Sequence, residues 1–283
     1  MKIGNLFKIA LKALNNNKMR CFLTMLGIII GVASVITMLA IGQGSKDSIK
    51  KQISEMGSNM IMIFPGNMER GGVQQSSDDM QSMKPIDFEN IRDEAKFVAA
   101  VSPMVSSQGQ FICGANNYPS KVEGVNADYL EIRKLKVKDG MAFSDLERAS
   151  KVCVVGKTVV DKLFPDGGNP MGRVIRFNSI PLTIIGVLES KGYNSMGQDQ
   201  DDIVLAPYTT VMKRILAIDY IQGIFASALT EAATDQATDE IEKILNRNHK
   251  IKSEDEEDYD IRSQQELSEM LNSTGDMMTL LLA

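Results

Sequence analysis

The sequence predicts an α+β protein: an N-terminal transmembrane helix, then an extracytoplasmic domain in which a paired β-α-β subdomain carries an inserted β-rich subdomain. Three observations predict it. Residues Cys21 to Ser45 carry no charge, and Phe22 to Ile41 is a mostly apolar run of 20 residues. A β-α-β pattern occurs twice outside that run, once after residue 58 and again after residue 219. Between the copies, roughly Gln110 to Pro207, the rhythm changes to short β-like runs.

The chain averages conceal this division. Of 283 residues, 24% are charged and 43% apolar, and the mean hydropathy is -0.10, values typical of a soluble protein of one large or two ordinary domains. Yet residues 1–45 hold five basic side chains (Lys2, Lys8, Lys12, Lys18, Arg20) and no acid, a charge of +5. The other 26 basic residues face 36 acids, a charge of -10. An acidic outer part argues against nucleic-acid binding, which needs massed Lys and Arg. A single histidine, His249, excludes sites that need two.

At about 1.5 Å rise per residue, 20 apolar residues cover the hydrocarbon core of a bilayer, roughly 30 Å. A cleaved signal peptide is the rival reading, with Ala40-Ile41-Gly42 as a loose cleavage site. Secretory apolar regions are usually about 7–15 residues, so an uncleaved span over 21–44 is expected. Before it, Ile3, Leu6, Phe7, Ala10, Leu11 and Leu14 form one helical stripe flanked by lysines, ended by Asn15-Asn16-Asn17. Residues 1–20 therefore read as an amphipathic helix in the cytoplasmic interface, because basic residues concentrate on that side. Gly27 and Gly31 form a small-xxx-small pair with Ala33 and Ser34 nearby, the spacing that admits a close partner helix.

Ser45 to Met56, with Ile49, Ile53 and Met56 on one side, continues as a stalk helix. Asn59 to Phe64 reads as a strand ended by Pro65-Gly66. The polar stretch 67–84 reads as a flexible loop holding Met68, Met80 and Met83. Pro85 to Lys96 is expected as a helix and Val98 to Ser107 as its returning strand. The second copy is strand Tyr220–Leu229, helix Glu231–Lys250 and strand Tyr259–Arg262. His249 then falls at a helix C-terminus, where its charge suits the dipole and its side chain is expected at the surface. The outer domain divides into 45–109 with 208–262, and an insertion at 110–207. Within the insertion, strands are expected at 110–113, 120–125, 151–155, 174–177, 182–188 and 203–205, with helices at 127–135 and 157–164. Residues 263–283, with Leu267, Met270 and Leu271, read as a second stalk helix running into a truncated second membrane helix.

Chemistry-bearing motifs are sparse. Gly156-Lys157-Thr158 invites a phosphate-loop reading, but position 151 is Lys where that motif needs glycine. Asp199, Asp201 and Asp202 read as a solvated acidic loop, with cation binding as the alternative. Cys113 and Cys153 lie in apolar β runs, so free thiols are expected, with a disulfide as the alternative. No catalytic, cofactor or metal residues are assigned, and the chain is not expected to be an enzyme.

Four stretches carry a family resemblance. They are Leu23-Thr-Met-Leu-Gly-Ile-Ile-Ile-Gly-Val-Ala-Ser-Val-Ile with Ala40-Ile-Gly-Gln-Gly, then Val122-Glu-Gly-Val-Asn-Ala-Asp-Tyr-Leu, then Lys162-Leu-Phe-Pro-Asp-Gly-Gly-Asn-Pro-Met-Gly-Arg, and Ile184-Ile-Gly-Val-Leu-Glu continuing to Gln198-Asp-Gln-Asp-Asp-Ile-Val-Leu-Ala-Pro. In this order and spacing they resemble the first membrane helix and periplasmic core domain of MacB-type ABC transporter permeases, of the FtsX-like permease family. The resemblance implies a homo- or heterodimeric permease of the bacterial inner membrane, four membrane helices per chain, and a porter-like outer subdomain with a β-rich insertion. It also implies that ATP is bound by a separate or fused ABC ATPase, with a periplasmic adaptor and outer-membrane channel as further partners. Efflux is the expected activity. Lipoprotein release, or a single-pass binding or sensing module, is the alternative. Against that pattern, this sequence reads as truncated before the later membrane helices.

Overall fold

A computed structural model describes residues 18–56, 59–66, 69–70, 73–74, 81–144, 150–194, 197–252, 258–264, 266 and 270. They fall into two units, Met1–Lys50 with Met270–Ala283, and Lys51–Glu269. The amphipathic helix expected over 1–20 and its asparagine break lie outside the described residues up to position 17.

Helix α1, Lys18–Met56, is one continuous helix of 39 residues. Its segment Lys18–Gly44 has a mean hydropathy of 2.4 and is long and apolar enough to cross a membrane. Phe22, Ile28 and Ile36 are 60, 66 and 60% exposed within this chain. Apolar surface on that scale is left for lipid or a partner helix.

The second unit opens with β1 (Met60–Pro65), followed by a two-residue pair, β2 (Glu69–Arg70) and β3 (Val73–Gln74), inside the stretch read as a loop. Helix α2 (Pro85–Glu94) begins at a proline, whose missing N–H costs nothing there. Its N-terminal amide group at Lys84 donates to the Asp87 carboxylate at 2.8 Å. Met83 departs from the flexible-loop expectation: it is fully buried, and its carbonyl accepts the Ile221 amide at 3.0 Å. Met68 and Met80 lie outside the described residues.

Strand β4 (Val98–Cys113) runs 16 residues without a break, so the division drawn at 109/110 falls inside one strand. It turns back into β5 (Asn116–Val125), which leads to α3 (Asp128–Ile132) and β6 (Val137–Gly140), the last not expected from sequence. Then follow β7 (Val152–Val155), α4 (Lys157–Leu163), β8 (Val174–Phe177), β9 (Ile180–Leu188) and β10 (Val204–Pro207). A helical turn Tyr208–Thr210 and a π-helical turn Val211–Leu216, also unforeseen, lead to β11 (Gly223–Ala228). Helix α5 (Thr234–His249) and β12 (Tyr259–Ser263) complete the unit.

The two β-α-β copies interdigitate. The first sheet has the order β12-β1-β11-β4, with every neighbouring pair antiparallel. Strand β11 fills the gap between β1 and β4, and β1 fills the gap between β11 and β12. This split β-α-β arrangement explains how halves so far apart in sequence form one sheet. Alternation along β1 sends Ile61 and Ile63 into a core with Phe88, Ile91 and Ile241 of the two helices. Met60 and Met62 face the other way, into a cluster with Phe225 and the α3 residues Tyr129 and Leu130. Burial on both faces is why this strand is apolar at every position from Met60 to Phe64.

The insertion closes on itself. Residues 105–113 of β4 pair with β5, β5 with β10, β10 with β7, β7 with β9, and β9 with β8. Strand β8 then returns to β4 at Phe111↔Phe177 and completes a six-stranded ring. The aromatic rings of Phe111 and Phe177 lie tilted at 55° with centroids 4.8 Å apart in the barrel interior, and Val122, Ile175, Leu182 and Ile184 are buried as well. One buried cluster contains both Ile61 and Phe111, so the subdomains share a core as well as a strand.

Candidate functional site

In α1 a Cβ added at Gly27 or Gly31 would meet nothing within 4 Å. At about 100° per residue, Gly27, Gly31 and Ser34 fall within about 60° of each other, while Ala33 lies about 120° from Gly27. The hydroxyls of Thr24, Ser34 and Thr37 donate to helix carbonyls of Arg20 at 3.0 Å, Gly31 at 2.9 Å and Ala33 at 2.8 Å. Each is thus satisfied without water, as a bilayer interior requires.

The chain enters β1 and leaves β12 at the same end of the sheet, where Ile61 pairs with Ser263. Only positions 57 and 58 separate α1 from Asn59, whose carbonyl accepts the Ala228 amide at 2.9 Å and whose side-chain amide donates to the Ala228 carbonyl. At the exit, the Ser263 amide donates to Glu266 Oε2 at 3.0 Å, and the Glu266 amide donates to Ser263 Oγ at 3.1 Å. This is a reciprocal capping box, and it starts a helix directly at the strand end. The S-x-x-E spacing was readable at 263–266 and is the signal the sequence reading passed over. Glu240 Oε2 accepts the amides of Lys96 at 2.7 Å and Phe97 at 3.0 Å, just ahead of β4. Of the predicted stalk residues, the side chains of Ser45, Ile49, Ile53 and Met56 and positions Leu267 and Leu271 lie outside the described residues; Met270 is helical and exposed. Ser263→Ala should lower the Tm of the domain by the equivalent of about 1 kcal/mol, read by thermal unfolding; an unchanged Tm would mean the box does not hold the exit.

At the opposite end of the sheet His249 departs from its expected surface position. Its side chain is 8% exposed and lies between two carboxylates: Nδ1 is 2.6 Å from Asp258 Oδ1, and Nε2 is 3.2 Å from Asp87 Oδ2. The Nε2 contact is an ion-pair approach without hydrogen-bond alignment. The Asp258 bond and then the Asp87 contact outweigh burial and raise the imidazole pKa from 6.5 to about 9. Asp87 is buried, which alone would raise its pKa. The His249, Lys84-amide and Asn248 interactions outweigh that and hold it below 3.8. Asn248 Nδ2 donates to Asp87 Oδ1 at 2.8 Å, and the Tyr259 hydroxyl donates to Asn246 at 2.7 Å. This clamp ties α2, α5 and the start of β12 together.

The acidic run 199–202 is not a solvated loop. Asp201 is buried and accepts the Ser190 hydroxyl and the amides of Lys191 at 2.8 Å and Gly192 at 3.0 Å. Asp199 accepts the Thr158 hydroxyl at 2.6 Å, and Asp202 accepts the Ser120 hydroxyl at 2.7 Å and the Tyr118 hydroxyl at 3.3 Å. Among the described residues no cluster suited to a metal ion forms. Gly156-Lys157-Thr158 serves the same loop: a Cβ on Gly156 would lie 2.2 Å from the Asp201 carbonyl, and Lys157 pairs with Asp161. Cys113 and Cys153 are both free thiols, and burial pushes the Cys153 thiol far above its ordinary range, leaving it inert.

Above this loop runs an open groove of 730 Å³ bordered by Gln108, Gln110, Lys121, Gln198 and Asp202. A deeper recess of 220 Å³ shares Lys121 and Asp202 with it and adds Arg133.

The family model described as MacB-like periplasmic core domain matches residues 21–244. The chain is 32% identical to the macrolide export ATP-binding/permease protein MacB of Syntrophobacter fumaroxidans, over 96% of this chain and 46% of that protein. It is 34% identical to the protein of that name in Chlorobium phaeobacteroides, over 96% of this chain and 41% of the relative. The Rhodospirillum rubrum protein is 35% identical, over 99% of this chain and 42% of the relative. The chain thus spans less than half the length of these curated relatives. Among solved structures, the periplasmic region of MacB from Actinobacillus actinomycetemcomitans matches with a TM-score of 0.65 at 23% identity, covering 79% of this chain and 97% of that one. The extracellular domain of the ABC-type transporter YknZ matches with a TM-score of 0.58 at 18% identity, covering 72% of this chain and 100% of that one. These likenesses show the fold, down to the β-rich outer domain.

Proposed function

The chain belongs to the MacB-like periplasmic core domain family, and from that premise we propose that it supplies the first membrane helix and the extracytoplasmic domain of an ABC transporter permease. ATP is bound and hydrolysed by an ABC ATPase domain or subunit outside this chain. The work of this chain is mechanical: it carries movement from the membrane to an outer domain that handles the exported substrate. The observation that carries this reading is the junction, where a 39-residue helix with an apolar half passes within two residues of a strand pinned at its first turn. Efflux as the activity is supported by the relatives, which are named for macrolide export. A second permease chain is the expected partner of the glycine face, and an adaptor and outer-membrane channel complete the assembly.

Topology tests the reading. Tyr193 is exposed in the outer domain, so Tyr193→Cys in a background with Cys21→Ser and Cys113→Ser should react with a membrane-impermeant maleimide in intact cells. Labelling only after lysis would place the domain on the wrong side and end the proposal. Gly31→Leu is expected to abolish crosslinking between two copies through cysteines at Ile28 and to leave membrane insertion intact. Undiminished crosslinking would remove Gly31 from the interface.

A further inference from the structure

The groove beside the 199–202 loop is lined mainly by polar side chains. Gln108 stands opposite Lys121 and Gln110 opposite Pro119 in the β4–β5 register, so these side chains share one face of the ribbon. The facing wall is held in place before any ligand arrives: Asp201 takes three donors, Asp199 takes the Thr158 hydroxyl, and Asn194 Nδ2 donates to Gln198 at 3.0 Å. A preformed wall removes part of the ordering cost of binding.

The lining selects the occupant. Sites for apolar molecules are built mainly from hydrophobic side chains, whereas this groove is edged by amides, a lysine and carboxylates. Strand addition is blocked. Strand β10 covers β5 only from Val122 onward, and Pro119 on the uncovered stretch has no N–H to offer. Each lining carboxylate already accepts a hydroxyl: Glu123 that of Tyr129 at 2.9 Å, Asp202 that of Ser120 at 2.7 Å and Asp199 that of Thr158 at 2.6 Å. Lys121 also reaches Glu123 at 2.7 Å. Arg133, in the deeper recess, is different. Among the described residues Arg133 makes no ion pair; its guanidinium lies 6.0 Å from the Phe225 ring and its charge also acts on the Tyr129 hydroxyl. Its forked donors suit a carboxylate, while side-chain amides and oxygens suit rows of hydroxyls.

We propose that this groove binds an acidic polyhydroxylated ligand, a saccharide bearing carboxylates, with one carboxylate at Arg133 and the hydroxylated body along Gln108, Gln110 and Gln198. The full chain in lipid nanodiscs is titrated by calorimetry with tetragalacturonate, with maltotetraose as the neutral analogue and tetraglutamate as the acidic peptide. Tetragalacturonate should bind with a submillimolar Kd, and maltotetraose and tetraglutamate at least tenfold more weakly. Arg133→Gln should weaken the uronate about tenfold, the loss of one charge-assisted hydrogen-bonded pair. Gln110→Ala, on an outward-facing side chain, should weaken it severalfold with the Tm unchanged. Absence of uronate binding to millimolar concentration, equal affinity for tetraglutamate, or unaltered affinity in both folded variants would each overturn the proposal.

Discussion

Replacing His249 by alanine should destabilise the outer domain by about 3 kcal/mol, because it leaves the carboxylates of Asp87 and Asp258 facing one another without the cation between them. For a domain of this size that is a fall in Tm of roughly 6–12 °C. The wild-type pH profile carries the same signature. The folded pKa of about 9 lies above the unfolded value of 6.5, so the folded state holds the proton more tightly. The stabilisation is therefore complete below about pH 6.5 and disappears as the pH rises through about 9. His249→Ala should flatten that alkaline decline. Two profiles of equal slope between pH 7 and 10, with equal Tm at pH 6, would show that the clamp contributes nothing. On the acid side, Asp87 adds stability that is lost only as the pH falls through its depressed pKa, below 3.8.

The second large effect separates a structural glycine from a phosphate-binding one. Gly156→Ala places a methyl 2.2 Å from the Asp201 carbonyl and 3.2 Å from Ile203 Cγ2. Backbone cannot yield as a side-chain tip would, so the loop must move. The hydrogen bond from the Gly156 amide to the Ile203 carbonyl at 2.8 Å is then lost, and so are the hydrogen bonds that cage Asp201. A cost of about 3 kcal/mol is expected, at the upper end of overpacking effects. Lys157→Ala should cost no more than about 1 kcal/mol, since both partners in its pair with Asp161 are about half exposed. Thermal unfolding of the two variants reads this directly. A phosphate loop would show the reverse, with a lysine whose loss abolishes nucleotide binding and a glycine whose loss leaves the fold intact.

What the sequence showed and hid divides along physical lines. The apolar run of α1, the strand at Asn59–Phe64, both crossover helices and most strands of the insertion were legible, because each is written in local periodicity. The capping box at Ser263 and Glu266 was written in spacing too, and was overlooked. The interleaving of the halves was not legible, since nothing within β1 records that its neighbours are β11 and β12. His249 is the helix end it was read as, but it looked like a surface residue because its partners are remote or hidden in an acidic run: Asp87 lies in another helix, and the neighbouring Asn248 meets it across 161 residues of sequence. Met83 looked mobile because its surroundings are polar in sequence, and only the tertiary fold brings Ile221 against it. The acidic run 199–202 looked solvated because hydroxyl and amide donors from three separate segments converge on it. Strand β4 hides its length for a related reason. Its first half belongs to one sheet and its second to the barrel, so its pattern changes midway without a break in the chain.

The shared strand and shared core join the two β subdomains into one body, and the function proposed above makes that body a lever moved from the membrane. The direct measurement is the distance between spin labels at Tyr193→Cys in the two copies of the permease, with Cys21 and Cys113 replaced by serine. The proposed assembly of permease and ABC ATPase is reconstituted in nanodiscs and read by pulsed dipolar spectroscopy without nucleotide, with trapped ATP and with ADP. A lever driven from the membrane gives a distance distribution that shifts with ATP and returns with ADP, and Ser263→Ala reduces the shift. Identical distributions in all three states, from a preparation that hydrolyses ATP, would contradict it.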